Sequence, residues 1–413
     1  MALGVSEKHP LRNLKSIMQN PGTRDAILPV SVMLCMHTLI ALGIFIIPVM
    51  APEIGLDAKR ISRFVPMLYL TAAIFAPFSG PFTGRFGPMR MMQACVFSSA
   101  VGIAITCSGE EIPMLVGAFF IGLSLSLATP AASDILLRYT PATIRSLIFS
   151  IKQAAVPLSN VIAGLLVTLT LYYGWGWQAT LLGISGVAVA MVVIFQPLRN
   201  RWDEARDTAS HVTFTWQSFI TGTRMLTSSP ALRWLAISSF AFVLLQIAST
   251  AYLVIFLVEH VQLTHETAGT IFAIAFAGGF FSRIFFGIIA DNFISPLKTL
   301  GILGLIMGAA SIGVAQFEPG WPLWGIAVMT FLLASTAAGW NGVYIAEIAN
   351  LAPKGQASNV MGMSLVVTYF GCIMTPAIFG LVLATTDSYR IAYTLFAIPS
   401  ILVGIRLLIL KKQ

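Results

Sequence analysis

An all-α integral membrane protein, with twelve membrane-spanning helices arranged as two related bundles of six, is the fold class this sequence predicts. Three observations predict it. Of 413 residues, 57% are hydrophobic and only 10% charged, far below the roughly one-quarter charged expected of a soluble protein. Twelve long apolar stretches follow one another, and at about 20 residues per span they occupy roughly 240 to 260 positions, leaving short loops and one modest linker. Landmarks of the first half recur in the second at a nearly constant offset, which marks a duplication.

The apolar segments begin near Ala26, Phe64, Met91, Pro113, Ser146, Trp177, Leu235, Thr267, Thr299, Trp321, Ala357 and Ile391, with breaks rich in Gly, Pro and charge. Residues 1–25 are mostly polar, carry Lys8, Arg12, Lys15 and Arg24, and precede an apolar stretch too long for a cleavable signal peptide. They are expected to remain as a cytoplasmic N-terminal segment, with Leu11, Leu14, Ile17 and Met18 forming an interfacial amphipathic stretch. The first bundle is assigned to 26–196. A cytoplasmic linker, 197–229, holds Arg199, Arg201, Asp203, Glu204, Arg206 and Asp207, followed by a second amphipathic stretch through Phe214, Trp216, Phe219 and Ile220. The second bundle and a short cytoplasmic tail take 230–413.

Charge sets the expected orientation. With the N-terminus inside, the inner loops and tails hold 18 of the 24 Lys and Arg, the outer loops hold Lys59, Arg60, Arg63 and Arg390, and Lys152 and Arg283 fall within spans. Positively charged loops stay inside, so both termini are expected on the cytoplasmic face of the cell inner membrane. The outer loops instead receive Glu53, Asp57, Glu110, Glu111, Glu259, Glu266, Glu318 and Asp387. The net charge of +8 is dispersed among apolar runs, which fits membrane topology and not a nucleic-acid partner. Cys35, Cys95, Cys107 and Cys372 form neither a CxxC pair nor a ligand cluster, so no metal site is expected. Phosphate-loop and HExxH patterns are absent, and no cofactor is expected.

The repeat is explicit. Pro21 and Arg24 recur as Pro230 and Arg233, an offset of 209, while Leu56 matches Leu263 and Gly80 matches Gly287 at an offset of 207. After the second span the chain reads Gly80-Pro-Phe-Thr-Gly84-Arg85-Phe86-Gly87-Pro88-Met-Arg90, and after the eighth Gly287-Ile-Ile-Ala-Asp291-Asn-Phe293-Ile-Ser-Pro-Leu-Lys298. These runs resemble the loop signature of the major facilitator superfamily, roughly Gly-x-x-x-Asp-Arg-x-Gly-Arg-Arg, and the resemblance covers essentially the whole chain. It implies two six-helix bundles rocking about a midplane site, with a latch at the inner face built from Gly80, Arg85, Gly87, Arg90, Gly287, Asp291 and Lys298. Asp291 would accept bonds from a neighbouring helix N-terminus, and Arg90 would pair with an acid. The first copy has Gly84 where Asp is usual; the second has Asn292 for Arg and Ile294 for Gly. Two further runs, Arg145 to Leu158 and Gly339 to Glu347, resemble bacterial members that move small metabolites. The Gly-Pro-x-x-Gly-Gly motif of drug–proton antiporters is not met, because Val156 precedes Pro157 and Ser159-Asn160 follow it.

Ionisable groups inside a bilayer are costly and count as functional candidates. Asp134 and Glu347 lie near the inner ends of helices four and ten; the structural reading pairs Asp134 with Arg85, Arg90 or Arg138, and Glu347 with Lys298 or Arg283. Lys152 lies seven residues beyond Arg145, about 10 Å deeper, and Arg283 eight residues before Asp291, about 12 Å from that loop. Both could join the latch or attract a small anion such as a carboxylate. His37 and Gln246, related by the 209 offset, fall on helices one and seven, where the resemblance implies a cavity lining. Either could bind substrate, His37 could carry a proton, and either could simply make an interhelical hydrogen bond. Trp340 and Tyr344 share a helix face beside Asn341, as an aromatic cradle or as packing.

The expectation is a secondary transporter of a small organic anion, by proton symport or exchange and not an enzyme. Its substrate contacts are His37, Lys152, Gln153, Gln246, Arg283, Trp340, Asn341 and Tyr344, and its partners are the substrate, a candidate coupling proton and the lipid bilayer, with the protein a monomer. A carrier of neutral sugars or cationic drugs, and a non-transporting receptor or scaffold, are the rival expectations.

Overall fold

The structure is a computed structural model that describes residues 21–55, 58–204, 206–207 and 216–410. The N-terminal amphipathic stretch Leu11 to Met18, the repeat landmark Leu56, the outer Asp57 and the linker residue Phe214 lie outside the described residues.

Among those residues twelve helical spans are long and apolar enough to cross a bilayer. They are α1 (Arg24–Val49), α2 (Arg63–Phe86), α3 (Pro88–Thr106), α4 (Glu111–Tyr139), α5 (Ala142–Tyr173), α6 (Trp177–Trp202), α7 (Pro230–Glu259), α8 (Thr267–Asn292), α9 (Pro296–Val314), α10 (Leu323–Leu351), α11 (Ala357–Thr386) and α12 (Tyr389–Ile409). A helix closes every backbone hydrogen bond within its own segment, which is what hydrocarbon demands. Lipid-facing surfaces are apolar, with Val161, Leu165, Val187, Val193, Ile274, Phe281 and Leu402 outward, and aromatic groups such as Tyr172, Trp175 and Trp324 near the span ends.

Small residues set the close contacts. On α9, Gly301, Gly304 and Gly308 lie on the backbone of Gly404, Ser400 and Ala397 of α12, and the Ser400 hydroxyl donates to Gly304 O at 3.0 Å. Between lipid-soluble helices such approach, and not the hydrophobic effect, supplies the attraction.

The two halves meet where α2 and α4 pack on α11, and where α5 packs on α8 and α10. These seams lie toward the end bearing the basic loops, called here the basic face. One apolar core runs through both halves, whereas a second, built from Leu42, Ile46, Ile47, Phe64, Leu68, Ile103, Ile121 and Leu181, belongs to the opposite, acidic-face end of the first half alone.

The linker is not a passive tether. Asp203, just past α6, caps the start of α3: the Met89 amide donates to its Oδ1 at 2.7 Å and the Arg90 amide to its Oδ2 at 3.2 Å. Arg90 thus meets an acid through its backbone. Gly87 adopts φ +93°, and a Cβ there would run into the Asp203 carboxylate, so the turn requires glycine twice over. Burial pushes the Asp203 carboxyl above the ordinary aspartate value, against the opposing pull of those two amides and of the Arg199 and Arg206 charges. The Asp207 amide donates to Gly84 O at 2.9 Å, laying the linker over the first loop signature. Beyond it the linker helix Trp216–Leu226 packs on α11, with the Thr223 hydroxyl 3.6 Å from Met363 Sδ.

Asp203→Ala removes both capping bonds and should cost about 0.5–2 kcal/mol. A lower melting temperature in detergent, with Glu204→Ala unchanged, is the expected result.

Candidate functional site

The basic-face seam between α5 and α8 is assembled in register. Asp291, the penultimate residue of α8, accepts from the Ser146 amide at 3.0 Å and the Leu147 amide at 2.7 Å, donors of the first turn of α5 that have no partner within their own helix. One turn deeper, a Cβ on Gly287 would lie 2.7 Å from the Ser150 hydroxyl and 3.0 Å from Leu147 Cα, and Gly342 of α10 presses on Ser150 from the other side. Another turn deeper, the Arg283 guanidinium donates through Nη1 to the backbone carbonyl of Gln153. Arg145 closes the mouth by donating to Asn350 Oδ1 of α10 at 2.6 Å.

The second seam has the same spacing but different chemistry. Gly80 of α2 abuts the Asn359 side chain of α11, Gly362 abuts the Ala76 carbonyl, and the Ser79 hydroxyl donates to Ser358 O at 2.9 Å. The repeat offset of 207 carries Ala76, Gly80 and Gly84 onto Arg283, Gly287 and Asp291, while 209 carries Ser150 and Gln153 onto Asn359 and Gly362. The rungs therefore correspond, and only one seam holds charge at its first and last rungs. Asp134 of α4 sits beside the Ser358 hydroxyl and within range of the Arg138 charge. Arg138 itself donates to Trp202 O at 3.3 Å. Glu347 is fully buried in α10.

Above the α5–α8 seam lies a cluster of cations. Lys152 is 1% exposed, and its Nζ donates to Gln153 Oε1 at 2.9 Å and to Thr129 Oγ1 of α4 at 3.2 Å. Arg283 is 2% exposed, and its Nε has no hydrogen-bond partner among the described residues. His37 of α1 is buried within range of both charges, with Nδ1 likewise unpartnered among the described residues. Gln153 accepts from both cations, one through its side chain and one through its main chain. Helices α1, α4, α5 and α8 thus meet at this cluster, and the acceptors of the cations' hydrogen bonds among the described residues are neutral oxygens.

The remaining sequence candidates form a separate group in the second half. Gln246 Oε1 of α7 accepts from Trp340 Nε1 at 3.1 Å and from Asn341 Nδ2 at 3.2 Å. Trp340 is buried edge-to-face between Phe242 (5.7 Å) and Tyr344 (5.2 Å), and the Tyr344 hydroxyl bonds to Ser364 Oγ. Here the interhelical-bond and packing readings describe what these side chains do in this state. A groove of about 540 Å³, lined by Thr267, Thr270, Ile271, Leu323, Trp324 and Ala327, opens toward the acidic face between α8 and α10, well away from the cations.

Sequence reasoning did not single out Thr129, Ser150, Asn350, Asn359, Asp203 or the Tyr69–Tyr369 pair, whose rings meet 6.1 Å apart across α2 and α11. The repeat carried a signal for two of them, since Ser150 and Asn359 are equivalent; the others are polar, charged or aromatic residues with no distinguishing spacing.

Twelve spans in two pseudo-symmetric bundles, sealed at one end and converging on a buried polar cluster, define a membrane transporter. The Major Facilitator Superfamily model matches residues 30–376, and the chain belongs to that superfamily. It is similar to the gallate transporter of Pseudomonas putida, 24% identical over 396 residues covering 88% of this chain and 86% of that one. It is also similar to the 4-hydroxybenzoate transporter PcaK of Pseudomonas aeruginosa, 27% identical over 155 residues. That match covers 37% of this chain and 34% of the relative, so the chain spans about a third of the length of PcaK in the alignment. Among solved structures, the E. coli fucose:proton symporter FucP superposes with a TM-score of 0.73 at 16% identity, covering 93% of this chain and 98% of that one. The human organic anion transporter MFSD10 superposes with a TM-score of 0.75 at 15% identity, covering 94% and 100%. At these identities the structural likeness speaks to the fold.

Asp291→Ala strips the α5 terminus of both carboxylate bonds and should cost about 0.5–2 kcal/mol, read as a lower detergent melting temperature. Asp291→Asn keeps one acceptor oxygen and should fall between the two.

Proposed function

We propose that this chain carries a small aromatic carboxylate across the cell inner membrane by alternating access, with its basic face and both termini in the cytoplasm. One observation carries the reading: Lys152 and Arg283, from opposite halves, are buried at the same level and bonded to neutral oxygens. Desolvating a cation costs several kcal/mol, and a neutral oxygen returns less of that than a carboxylate does. An arriving carboxylate supplies two anionic oxygens to Nζ and to the guanidinium, joining the halves through the solute. The relatives named for gallate and 4-hydroxybenzoate support an aromatic body on that carboxylate.

In this cycle Lys152 and Arg283 hold the carboxylate, Gln153 and Thr129 position Lys152, and His37 is the candidate proton carrier for symport, exchange being the alternative coupling. Gln246, Trp340, Asn341 and Tyr344 shape the second half's wall. Asp291, Gly287, Gly80 and Gly87 hold the inner gate, with Arg85, Arg90, Lys298, Asp134 and Glu347 as its charged surround. The loop charges support the orientation. The protein works as a monomer and transforms no substrate chemically.

Reconstituted in liposomes, the protein should take up labelled 4-hydroxybenzoate, and Lys152→Ala should weaken apparent affinity about 10- to 100-fold, the worth of one charge-assisted bond. Transport confined to neutral or cationic solutes, or unaltered uptake by Lys152→Ala, would overturn the reading in favour of a sugar or drug carrier. No flux of any solute would favour a receptor.

A further inference from the structure

Helix α5 is interrupted at the top of the seam. Its helical run Arg145–Gln153 stops, Ala154 forms a turn, and a second run begins at Ala155. The cause is Pro157. A helix bonds each N–H to the carbonyl four residues earlier, and proline has no N–H, so the carbonyl that loses its partner is that of Gln153. The proline ring also crowds that carbonyl and tilts it out of the helix. This is the oxygen that accepts from Arg283 of the opposite half.

The equivalent place in the other seam has none of these parts. The repeat offset carries Pro157 onto Val366, Gln153 onto Gly362 and Lys152 onto Met361, and Ala76 stands where Arg283 does. There the halves close with a glycine against a carbonyl. Close packing therefore needs neither an arginine nor a proline at this rung, and both occur where cations gather. Arg283 sits at the top of the α5–α8 seam, between the Asp291 latch below and Lys152 beside it, with its Nε lacking a partner among the described residues.

We propose that the Gln153 carbonyl, released by Pro157, is a neutral stand-in for the substrate carboxylate: it ties Arg283 across the halves in the empty carrier, and the entering anion takes Arg283 from it, releasing the top rung of the inner seam. Binding and inner-gate opening are then one exchange of acceptors. The inference rests on the anion reading above for the identity of the displacing group, and on α5 alone for the tie. It makes Pro157 a positioning residue, acting through a carbonyl and touching no solute.

The test is a distance measured across the inner mouth by paired spin labels at Thr143→Cys and Ser295→Cys, both exposed and on opposite halves, with the four native cysteines replaced by serine. In the empty protein the distance should be short, and Pro157→Ala, which returns an N–H to the Gln153 carbonyl, should raise the population of wide distances several-fold. Arg283→Gln should do the same. Benzoate should widen the distance in the parent protein and, because its competitor is already gone, bind several-fold more tightly to Pro157→Ala by calorimetry. With Arg283→Gln present, Pro157→Ala should add nothing to either readout. An empty Pro157→Ala protein with the parent's distances overturns the tie whatever benzoate does. Benzoate that binds the parent without widening the mouth overturns the exchange. Failure of benzoate to bind the parent sinks the anion reading and with it the release step, while the empty-state comparison still judges the tie.

Discussion

Two cations buried at one level between apolar helices constrain everything around them. Each has left water at a cost of several kcal/mol, and each raises the cost of the other. Among the described residues hydrogen bonds to oxygen offset that cost, and the surrounding helices are arranged to deliver oxygens: a threonine hydroxyl from α4, a side-chain amide from α5 and a main-chain carbonyl at the proline break. Neutral acceptors make the burial tolerable without cancelling the charge. A carboxylate resident at this position would have satisfied both cations permanently and left nothing for a solute to do.

That requirement explains why the two seams, built from one ancestral pattern, differ. The α2–α11 seam is held by small residues and hydroxyls, with Gly80 and Gly362 drawing the helices to contact. Such contacts are short-ranged and indifferent to what occupies the centre of the protein. The α5–α8 seam repeats the same rungs but ends in Asp291 at one end and Arg283 at the other. Electrostatic rungs respond to charge placed nearby and packed glycines do not, so the charged solute proposed above would act on one seam selectively.

The sequence displayed this architecture unevenly. Spans were legible because hydrocarbon demands long apolar runs, and the seam was legible because the runs around Gly80 and around Gly287 and Asp291 resemble the loop signature of the superfamily. Lys152 and Arg283 stood out as charges in apolar surroundings. Their partners did not, since Thr129 and Gln153 come from different helices and one of the acceptors is a main-chain atom that every residue possesses. Trp340 and Tyr344 share a face as expected, but the helical period does not say which way that face points; in this state Trp340 packs on Phe242 and bonds to Gln246. Asp203 was hidden by company, one of seven charges in the linker with no spacing to distinguish the one that caps α3.

The linker adds a second asymmetry that bears on the direction of motion. In the first half the latch position is Gly84, where a Cβ would meet open space, and the Asp207 amide bonds to its carbonyl. Asp203 meanwhile fixes the start of α3, and the linker helix lies against Met363 of α11. The segment that joins the halves therefore also braces the α2–α11 side, where Gly84 stands at the position of Asp291, and leaves the α5–α8 side to its charged rungs. On the proposed exchange of acceptors, a body braced on one side and held electrostatically on the other opens first on the side whose bonds an entering carboxylate would reach.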